Sequence, residues 1–534
     1  MNLLLSTFWL FRTVKYVLFW LYLWQLKEYH IGRFFDHFNT EKGKKNITNP
    51  LLWIKVLLFA ILIIRADFLS VCVSILFFIY LLETLVFIKQ VYQKSFKKPV
   101  KTAKTLLLMA ISFLIIGTAL YFISTLHSDW TQFLWLLIFD IFLPLIISGI
   151  VLLVQPFFVI ARNNILKKAA RKLGEHKNLK VIGITGSYGK TSTKEFLATI
   201  LKTKYRVLHT KEHQNSEMGI AKCILESLSP EHEIFVVEMG SYKKGGIKLL
   251  CDMVKPQIGI VTGVNEQHLS LFGSLENLLS AEGGRELADA LPQNGLLALN
   301  GDNKYCLELY KKFGGNKKTY SLNRAKLSSD IWAEEISVTE NSVSFLAITK
   351  NREACHFDIN VLGRQNVQNI LGAILVAKEI GMGLDEISIG CQKINPSQSG
   401  MILVKGKHDL DIIDSSYSAN PDGVLADLDY LNIFPGKKII VMPCLIELGN
   451  KSGQIHEKLG QKIGKICDVA IITTKENFEN IKKGALYAGL QEKNIVFCEN
   501  PNDIYSIITL QVSLGDAVLL EGRVPKKLIE LLTK

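Results

Sequence analysis

Nowhere in the 534 residues do two cysteines stand in a C-x-x-C pair; the nine present are scattered along the chain. That spacing offers neither a zinc site nor a disulfide framework, and it fits small core residues of a reducing compartment. There is no internal repeat and no low-complexity tract, so neither a repeat array nor a compositional linker organises the chain. The net charge is +13, yet the second half carries no basic stripe interleaved with aromatics. A nucleic-acid footprint needs such a stripe, so no nucleic acid is expected as a partner.

What is abundant is apolar sequence. Hydrophobic residues make up 49% of the chain, too many for a wholly soluble enzyme of this length, and the excess lies at the front. Residues 3–26, 51–64, 67–89, 104–126 and 131–160 are apolar runs, most of them near the roughly 20 residues that a bilayer-crossing helix requires. The second contains Lys55 and is followed by Arg65 and Asp67, which makes it the weakest of the five. Arg12 and Lys15 interrupt the first run and no small-residue cleavage site follows, which speaks against a cleaved signal peptide. Segments 27–45, 89–104 and 162–180 are basic, whereas the connections at 65–67 and 124–130 hold little Lys or Arg. Five spans put every basic loop on one side, so the expected topology is N-terminus outside and everything after about residue 161 in the cytoplasm. The basic excess is then expected to meet anionic membrane lipids. Trp9, Trp20, Trp24, Trp53, Trp130 and Trp135 fall near span ends and are expected as interface anchors. Few charges are expected inside the spans, which disfavours a transporter or pump.

Residues 181–191 read Val-Ile-Gly-Ile-Thr-Gly-Ser-Tyr-Gly-Lys-Thr, a strand-like run that breaks into a glycine-flanked loop before a helical pattern beginning at Ser192. Strand, glycine loop and helix start form a phosphate cradle, in which backbone N–H groups turn inward and the helix N-terminus adds its positive end. Lys190 is expected to neutralise β/γ-phosphate charge and the Thr191 hydroxyl to ligate Mg²⁺, so ATP is the expected cofactor. The common loop would need a glycine at 184, where Ile184 stands; the motif present is Gly186-x-x-Gly189-Lys190-Thr191.

After a basic helix at about 162–178, strand-like runs at 181–185, 233–237 and 258–262 each lead through a loop into a helical pattern, which predicts a mostly parallel sheet covered by helices. A second series starts near Ile412, with runs at 439–443, 468–473, 494–498 and 517–521, and Asn395-Pro396-Ser397-Gln398-Ser399-Gly400 is a plausible hinge between them. Ligands of such sheets sit beyond the carboxyl ends of the strands. Glu238 and His268 occupy such places, the first suited to Mg²⁺, the second to a metal or a proton, although each alone reads equally well as structural. Expected boundaries are 1–161 for the helical region, 162–178 for a basic linker, 179–395 for an ATP-binding domain and 396–534 for a C-terminal α/β domain.

These residues carry a family resemblance. The run 181–193, Asn215-Ser216-Glu217-Met218-Gly219-Ile220, Val237-Glu238-Met239-Gly240, Lys255-Pro256, residues 263–268 with Phe272-Gly273-Ser274-Leu275-Glu276, Asn300-Gly301-Asp302, Gly363-Arg364-Gln365-Asn366-Val367-Gln368-Asn369, the segment 414–422, Ile446-Glu447-Leu448-Gly449 and Gly522-Arg523 stand in the order found in the Mur ligases. Residues from about 175 to 534 are similar to that family, and most similar to its branch that adds D-alanyl-D-alanine to UDP-N-acetylmuramoyl-tripeptide. The resemblance implies a central P-loop ATPase domain and a Rossmann-like C-terminal domain. It also implies an ATP-dependent amide ligation through an acyl phosphate, with a cell-wall precursor and an amino acid or dipeptide as partners.

By carry-over, Gly186, Ser187, Gly189, Lys190, Thr191 and Ser192 would hold the phosphates, Thr191 and Glu238 one Mg²⁺, and His268 a second. Asn366 and Asn369 match a motif at the adenine, which on their own would read as helix caps. Asp414, Tyr417 and Asn420 would bring the C-terminal domain onto the nucleotide, while Asn215 and Ser216 face the substrate.

Three departures stand out. The family carries a carbamylated lysine shortly after Phe-Gly-Ser, and Ser280-Ala281-Glu282-Gly283-Gly284-Arg285-Glu286 has none. Matching from the left puts Glu282 at that place and matching from the right Gly284; Glu282, or failing that Glu286, is expected to supply the missing anion to the metal. Gln365 stands where a His is common, and Ser399-Gly400-Met401 lacks an arginine after the glycine. Finally, the apolar spans replace the domain that grips the UDP end of the substrate. A lipid-linked and a UDP-linked sugar peptide therefore both remain open as acceptor. So do a ligase of another acid, polyglutamyl or cyanophycin-like, and an ATP-binding scaffold that does not ligate.

Overall fold

An uninterrupted apolar run satisfies its backbone polar groups most simply as helix, and the N-terminal third does so throughout. Its helices are α1 (Leu3–Leu26), α2 (Ile31–His37), α3 (Glu41–Ile47), α4 (Pro50–Ile64), α5 (Leu69–Tyr92), α6 (Ala103–Thr125) and α7 (Asp129–Gly174). Their starts follow local chemistry: Asn49 caps α4 with Pro50 at its first position, and Thr102 and Thr105 form a capping box on α6. The computed structural model describes residues 3–93, 95–211, 214–323, 329–417 and 419–533. Among these, five helical segments are long and apolar enough to cross a membrane: Leu4–Leu26, Gly43–Ile64, Ala66–Tyr92, Ala103–Thr125 and Asp129–Gly174. The chain divides into two compact units, Met1–Arg162 and Asn163–Lys534.

The helical unit buries more charge than its sequence suggested. Arg12, Lys55, Glu83 and Asp140, one from each of α1, α4, α5 and α7, are all at most 6% exposed. They meet as a closed network: Arg12 pairs with Asp140 and, at 3.5 Å, with Glu83, and Lys55 with Glu83 at 2.7 Å and Asp140 at 3.0 Å. The Tyr80 hydroxyl donates to Asp140 at 3.3 Å. Lys55 on α4 is thus one arm of a neutral quartet, since buried charges persist only when paired. The tryptophans also divide. Trp9 and Trp24 are buried in the bundle, with Trp24 stacked on Phe34 at 3.9 Å and donating to Ser148 Oγ, because packing against neighbouring helices covers them; Trp53 and Trp135 stay exposed.

The second unit holds two sheets. The first comprises β1 (Lys180–Thr185), β2 (Val207–His209), β3 (Ile234–Glu238), β4 (Ile258–Val261), β5 (Leu296–Asn300), β6 (Asn316–Ser321), β7 (Ile331–Val338), β8 (Val343–Thr349) and β9 (Ala354–Ile359) in the order β2-β3-β1-β4-β5-β6-β7-β8-β9. Strands β2 to β7 run parallel and the last two pairings are antiparallel. Every residue of β3, β4 and β5 is buried, as befits strands covered on both faces, whereas β8 alternates buried and half-buried positions. The covering helices are α8 (Lys190–Leu201), α9 (Glu217–Ser227), α10 (Gly246–Val254), α11 (Leu269–Phe272), α12 (Leu275–Ala281), α13 (Arg285–Ala290), α14 (Lys304–Lys312), α15 (Gln365–Ile380) and α16 (Leu384–Cys391).

The second sheet orders β10 (Ile402–Lys405), β11 (Asp411–Ser415), β12 (Lys438–Met442), β13 (Val469–Ile472), β14 (Ile495–Phe497) and β15 (Ala517–Glu521) as β10-β11-β15-β12-β13-β14, with only β10 antiparallel. Its helices are α17 (Pro421–Leu431), α18 (Ser452–Ile466), α19 (Phe478–Tyr487), α20 (Pro501–Thr509) and α21 (Lys526–Thr533). The segment expected to hinge the sheets is a short turn docked on α8: Gln398 Nε2 donates to Thr199 Oγ1 at 3.1 Å, and Ser192 Oγ to the Ser399 carbonyl at 3.2 Å. The basic stretch from 162 is likewise no loose linker, because Leu166, Ala169 and Leu173 of α7 are buried in a core with Leu208, Ile220 and Ile224.

Candidate active site

Strand β1 ends at Thr185 and α8 begins at Lys190, so residues 186–189 form the loop at the carboxyl edge of the sheet. Gly189 sits at φ +74°, and a Cβ there would run into the Asn369 amide; glycine is thus needed both for the turn and for the approach of α15. Lys190 folds back over its own loop, donating to the carbonyls of Gly186 at 2.5 Å and Ser187 at 3.4 Å.

Opposite this loop stands Glu282, 2% exposed. One oxygen accepts from Ser187 Oγ at 2.8 Å and the other faces His268 Nδ1 at 3.0 Å. Burial favours its neutral form, but His268, Lys190 and Ser187 outweigh that and hold the carboxyl below its ordinary range. His268 Nε2 lies 3.8 Å from Glu447, whose backbone carbonyl accepts from the Ser270 N–H at 3.3 Å, so the imidazole stands between carboxylates of the two domains. The two registers open at the missing lysine are separated by geometry. Gly284 has φ +84° and a Cβ there would meet Val261, while Glu286 accepts the N–H groups of Gly245 and Lys248 at the start of α10. Neither position has a side chain to offer the phosphate loop; Glu282 does.

Glu238 ends β3, where Asn215 Nδ2 donates to it at 3.0 Å and Lys194 Nζ lies 3.5 Å away. Lys194 is fully buried one helical turn beyond Lys190 and was not singled out from sequence, though that spacing was its signal. Ser216, in contrast, caps α9 by accepting from the Gly219 N–H at 3.3 Å, a structural task. Neither Asn366 nor Asn369 is a helix cap: Asn366 Nδ2 donates to the Leu362 carbonyl at 2.7 Å, Asn369 Nδ2 to Asn366 at 3.1 Å, and Asn369 Oδ1 faces Thr193 and Gly189.

The two domains meet across the site. Asn265 Nδ2 donates to Asn420 at 3.0 Å and Asp422 at 2.8 Å, Gln267 Nε2 to the Ala419 carbonyl at 2.9 Å, and Lys451 pairs with Glu266 at 3.1 Å. Asn420 also caps α17 through the Gly423 N–H. Asp414 Oδ1 accepts from the Ser416 N–H at 2.9 Å, and Tyr417 is 51% exposed. Gln365 donates to Asp427 at 2.9 Å; Asp427 also takes Ser415 Oγ at 2.5 Å and lies against the buried Glu521. Burial pushes both carboxyls up, Glu521 strongly, with the Asp427 charge next in effect. Sequence gave no pointer to this pair, since an acid at a strand end and another on a helix look solvated until the sheet forms. Beside His268 a cleft of about 440 Å³ opens between α11 and Gly449, Asn450 and Lys451.

Residues 184–377 match the Mur ligase middle domain, and 401–524 the Mur ligase, glutamate ligase domain. The UDP-N-acetylmuramoyl-tripeptide–D-alanyl-D-alanine ligase of Synechocystis is 31% identical over 346 residues, which cover 64% of this chain and 71% of that protein. The chain belongs to the Mur ligase family. Like the rest of that family it is an ATP-dependent ligase forming C–N bonds. Among solved structures, a MurF of Acinetobacter baumannii aligns with a TM-score of 0.59 at 25% identity, covering 69% of this Mur ligase and 80% of that chain. The MurF ligase of Thermotoga maritima in complex with ADP aligns with a TM-score of 0.60 at 24% identity, covering 69% and 83%. The matched domains begin at residue 184, so the helical unit lies outside them.

Proposed function

We propose that this Mur ligase joins D-alanyl-D-alanine to a muramyl-tripeptide acceptor at the cytoplasmic face of a bacterial membrane, to which its five apolar helices anchor it. The observation that carries the reading is the convergence of Lys190, Ser187, Glu282 and His268 around one loop, together with the curated relative that performs this addition. An acceptor carboxylate attacks the γ-phosphate of ATP, giving an acyl phosphate and ADP, and the dipeptide amine then displaces phosphate to form the peptide bond. Charge neutralisation and positioning dominate such chemistry. Lys190, released from its loop carbonyls, meets the phosphate charge, while Asn366 and Asn369 position the nucleotide beside Gly189. Asn215 faces the acceptor, and Asp414, Tyr417 and Asn420 close the C-terminal domain over the nucleotide.

The donor set suits Mg²⁺, which takes one or two carboxylates and completes its shell with phosphate oxygens and water. Thr191 and Glu238 would hold one ion; His268 and Glu282 would face a second, with Glu282 supplying directly the negative oxygen that a carbamylated lysine gives in relatives. Among the described residues no three His, Cys, Asp or Glu side chains converge as a ready-made cage. When bound, the ions neutralise developing phosphate charge.

In the sequence the five helices precede the Mur ligase domains, at the place where the family resemblance implies a domain that grips the UDP end of the substrate. Remote contacts position a reacting group, so we take the natural acceptor to be lipid-linked. The test is ADP release by the full chain in bilayers, with and without D-alanyl-D-alanine, on UDP-linked and polyprenyl-linked tripeptide. Release that ignores the dipeptide refutes the ligase assignment, and equal turnover on both acceptors refutes the lipid preference. A reporter after Lys180 should read cytoplasmic and one in residues 126–129 external; both on one side refutes the five-span topology.

A further inference from the structure

At the end of the helical unit where α1 stops and α6 starts, polar groups converge without the carboxylates that balance the buried quartet. Lys104, in the first turn of α6, donates to Gln155 at 2.9 Å and stands 3.5 Å from the centre of the Tyr29 ring and 4.9 Å from that of Phe158. Among the described residues it has no acidic partner. The Tyr29 hydroxyl is buried with no hydrogen-bond partner, and burial pushes its pKa up to about 12, so it remains a donor. Glu28 and Tyr29 both adopt left-handed backbone, φ +54° and +56°, a pair of non-glycine residues held in strain. Strain of this kind persists only where surroundings over-determine it, and it gathers at ligand clamps.

The surroundings are specific. Gln25 makes two bonds to the backbone of Val100, donating to its carbonyl at 3.0 Å and accepting its N–H at 2.6 Å, and so fastens the turn after α1 to the segment before α6. Lys27 and Lys97, from those two segments, lie close enough to the His37 imidazole to act with burial in lowering its pKa. Lys98 and Lys101 are exposed on the same segment. The acids nearby are Glu28, which pairs with Arg33 at 3.0 Å, and Asp36.

We propose that the turn at residues 27–30 and the segment 97–104 form a binding site for the phosphate group of a membrane lipid, with Lys104 and the Tyr29 hydroxyl as its donors. Lys104, held by aromatic faces and an amide with no acidic partner among the described residues, stands beside an unused hydroxyl donor, and phosphate oxygens complete both. The source is a lipid and not free phosphate because the site lies where two candidate spans end, at head-group depth, next to exposed Val100 and Tyr92. The inference rests on the reading that these helices cross a bilayer.

The test uses the full chain in nanodiscs of phosphatidylcholine doped with phosphatidic acid, reading retained lipid by native mass spectrometry. Lys104→Gln should weaken retention about tenfold, the scale of one charge-assisted hydrogen bond. Tyr29→Phe should weaken it a few-fold, whereas Lys104→Arg, and Lys44→Gln elsewhere on the basic surface, should leave it near wild type. Undiminished retention in both Lys104→Gln and Tyr29→Phe, or an equal loss in Lys44→Gln, overturns the site. Displacement of the lipid by millimolar inorganic phosphate overturns the lipid assignment. Alkaline carbonate washing separates the two levels: a chain that stays in membranes but fails the lipid test refutes the site alone, and a chain that washes out refutes the spanning reading beneath it.

Discussion

Charge is buried in both units, but it is compensated differently. In the helical unit Arg12, Lys55, Glu83 and Asp140 answer one another and close a neutral network. At the phosphate loop Lys190 leans on two carbonyls, and Glu282 spends its oxygens on a hydroxyl and an imidazole. A closed network has nothing left to offer a ligand and acts on which helices pack together. An open one, on the reading proposed above, keeps charge in reserve for phosphates, and loss of a member should then cost activity before it costs stability. Buried charge by itself thus does not mark a catalytic site; unbalanced charge at a strand edge does.

Several substitutions put that contrast at risk. Lys190→Ala should lower dipeptide-dependent ADP release by about a thousandfold, the scale of a lost transition-state charge contact, with the melting temperature of the full chain unchanged. A variant that melts much earlier would make the lysine structural and erase the contrast.

Lys55→Met should destabilise the helical unit by about 3–5 kcal/mol, because it strands carboxylate charge in an apolar interior. Lys55→Met with Glu83→Leu should recover most of that loss, read as thermal aggregation in detergent. If the single variant is as stable as wild type, the quartet is not what holds these helices together.

Glu282→Gln should raise the Mg²⁺ concentration for half-maximal activity about tenfold, and wild-type activity should be indifferent to removal of CO₂. An unchanged Mg²⁺ titration refutes the carboxylate-for-carbamate reading.

The smallest effect concerns Glu521, whose carboxyl is raised far above its unfolded value by burial and by Asp427. A group so raised stabilises the fold while it stays protonated, and that stability is lost as pH rises through its folded pKa. Glu521→Gln should therefore flatten the fall in melting temperature as pH rises above the ordinary carboxylate range, by about 1 kcal/mol in equivalent stability. A parallel decline in both proteins would mean that the pair does not share a proton.

The parallel strands and the strand, glycine loop and helix order at 180–201 were legible because each rests on near neighbours: a strand edge, a glycine turn, a helix start. The choice of Glu282 over Gly284 was not, since both satisfy the spacing and only the fold shows that one faces the loop while the other is pressed on Val261. The burial of Trp9 and Trp24 was hidden for a related reason, because a position near the end of an apolar run says nothing of which side of the helix meets a neighbour.

Composition and local pattern determined that the front of the chain is helical and that residues 180–201 run from strand through a glycine loop into helix, because hydropathy and backbone turn chemistry act over a few residues. Tertiary structure alone decided which charges meet. Arg12 and Asp140 are 128 positions apart in sequence and Ser187 and Glu282 are 95. Pairing at that range depends on desolvation and helix packing, which no window of sequence contains.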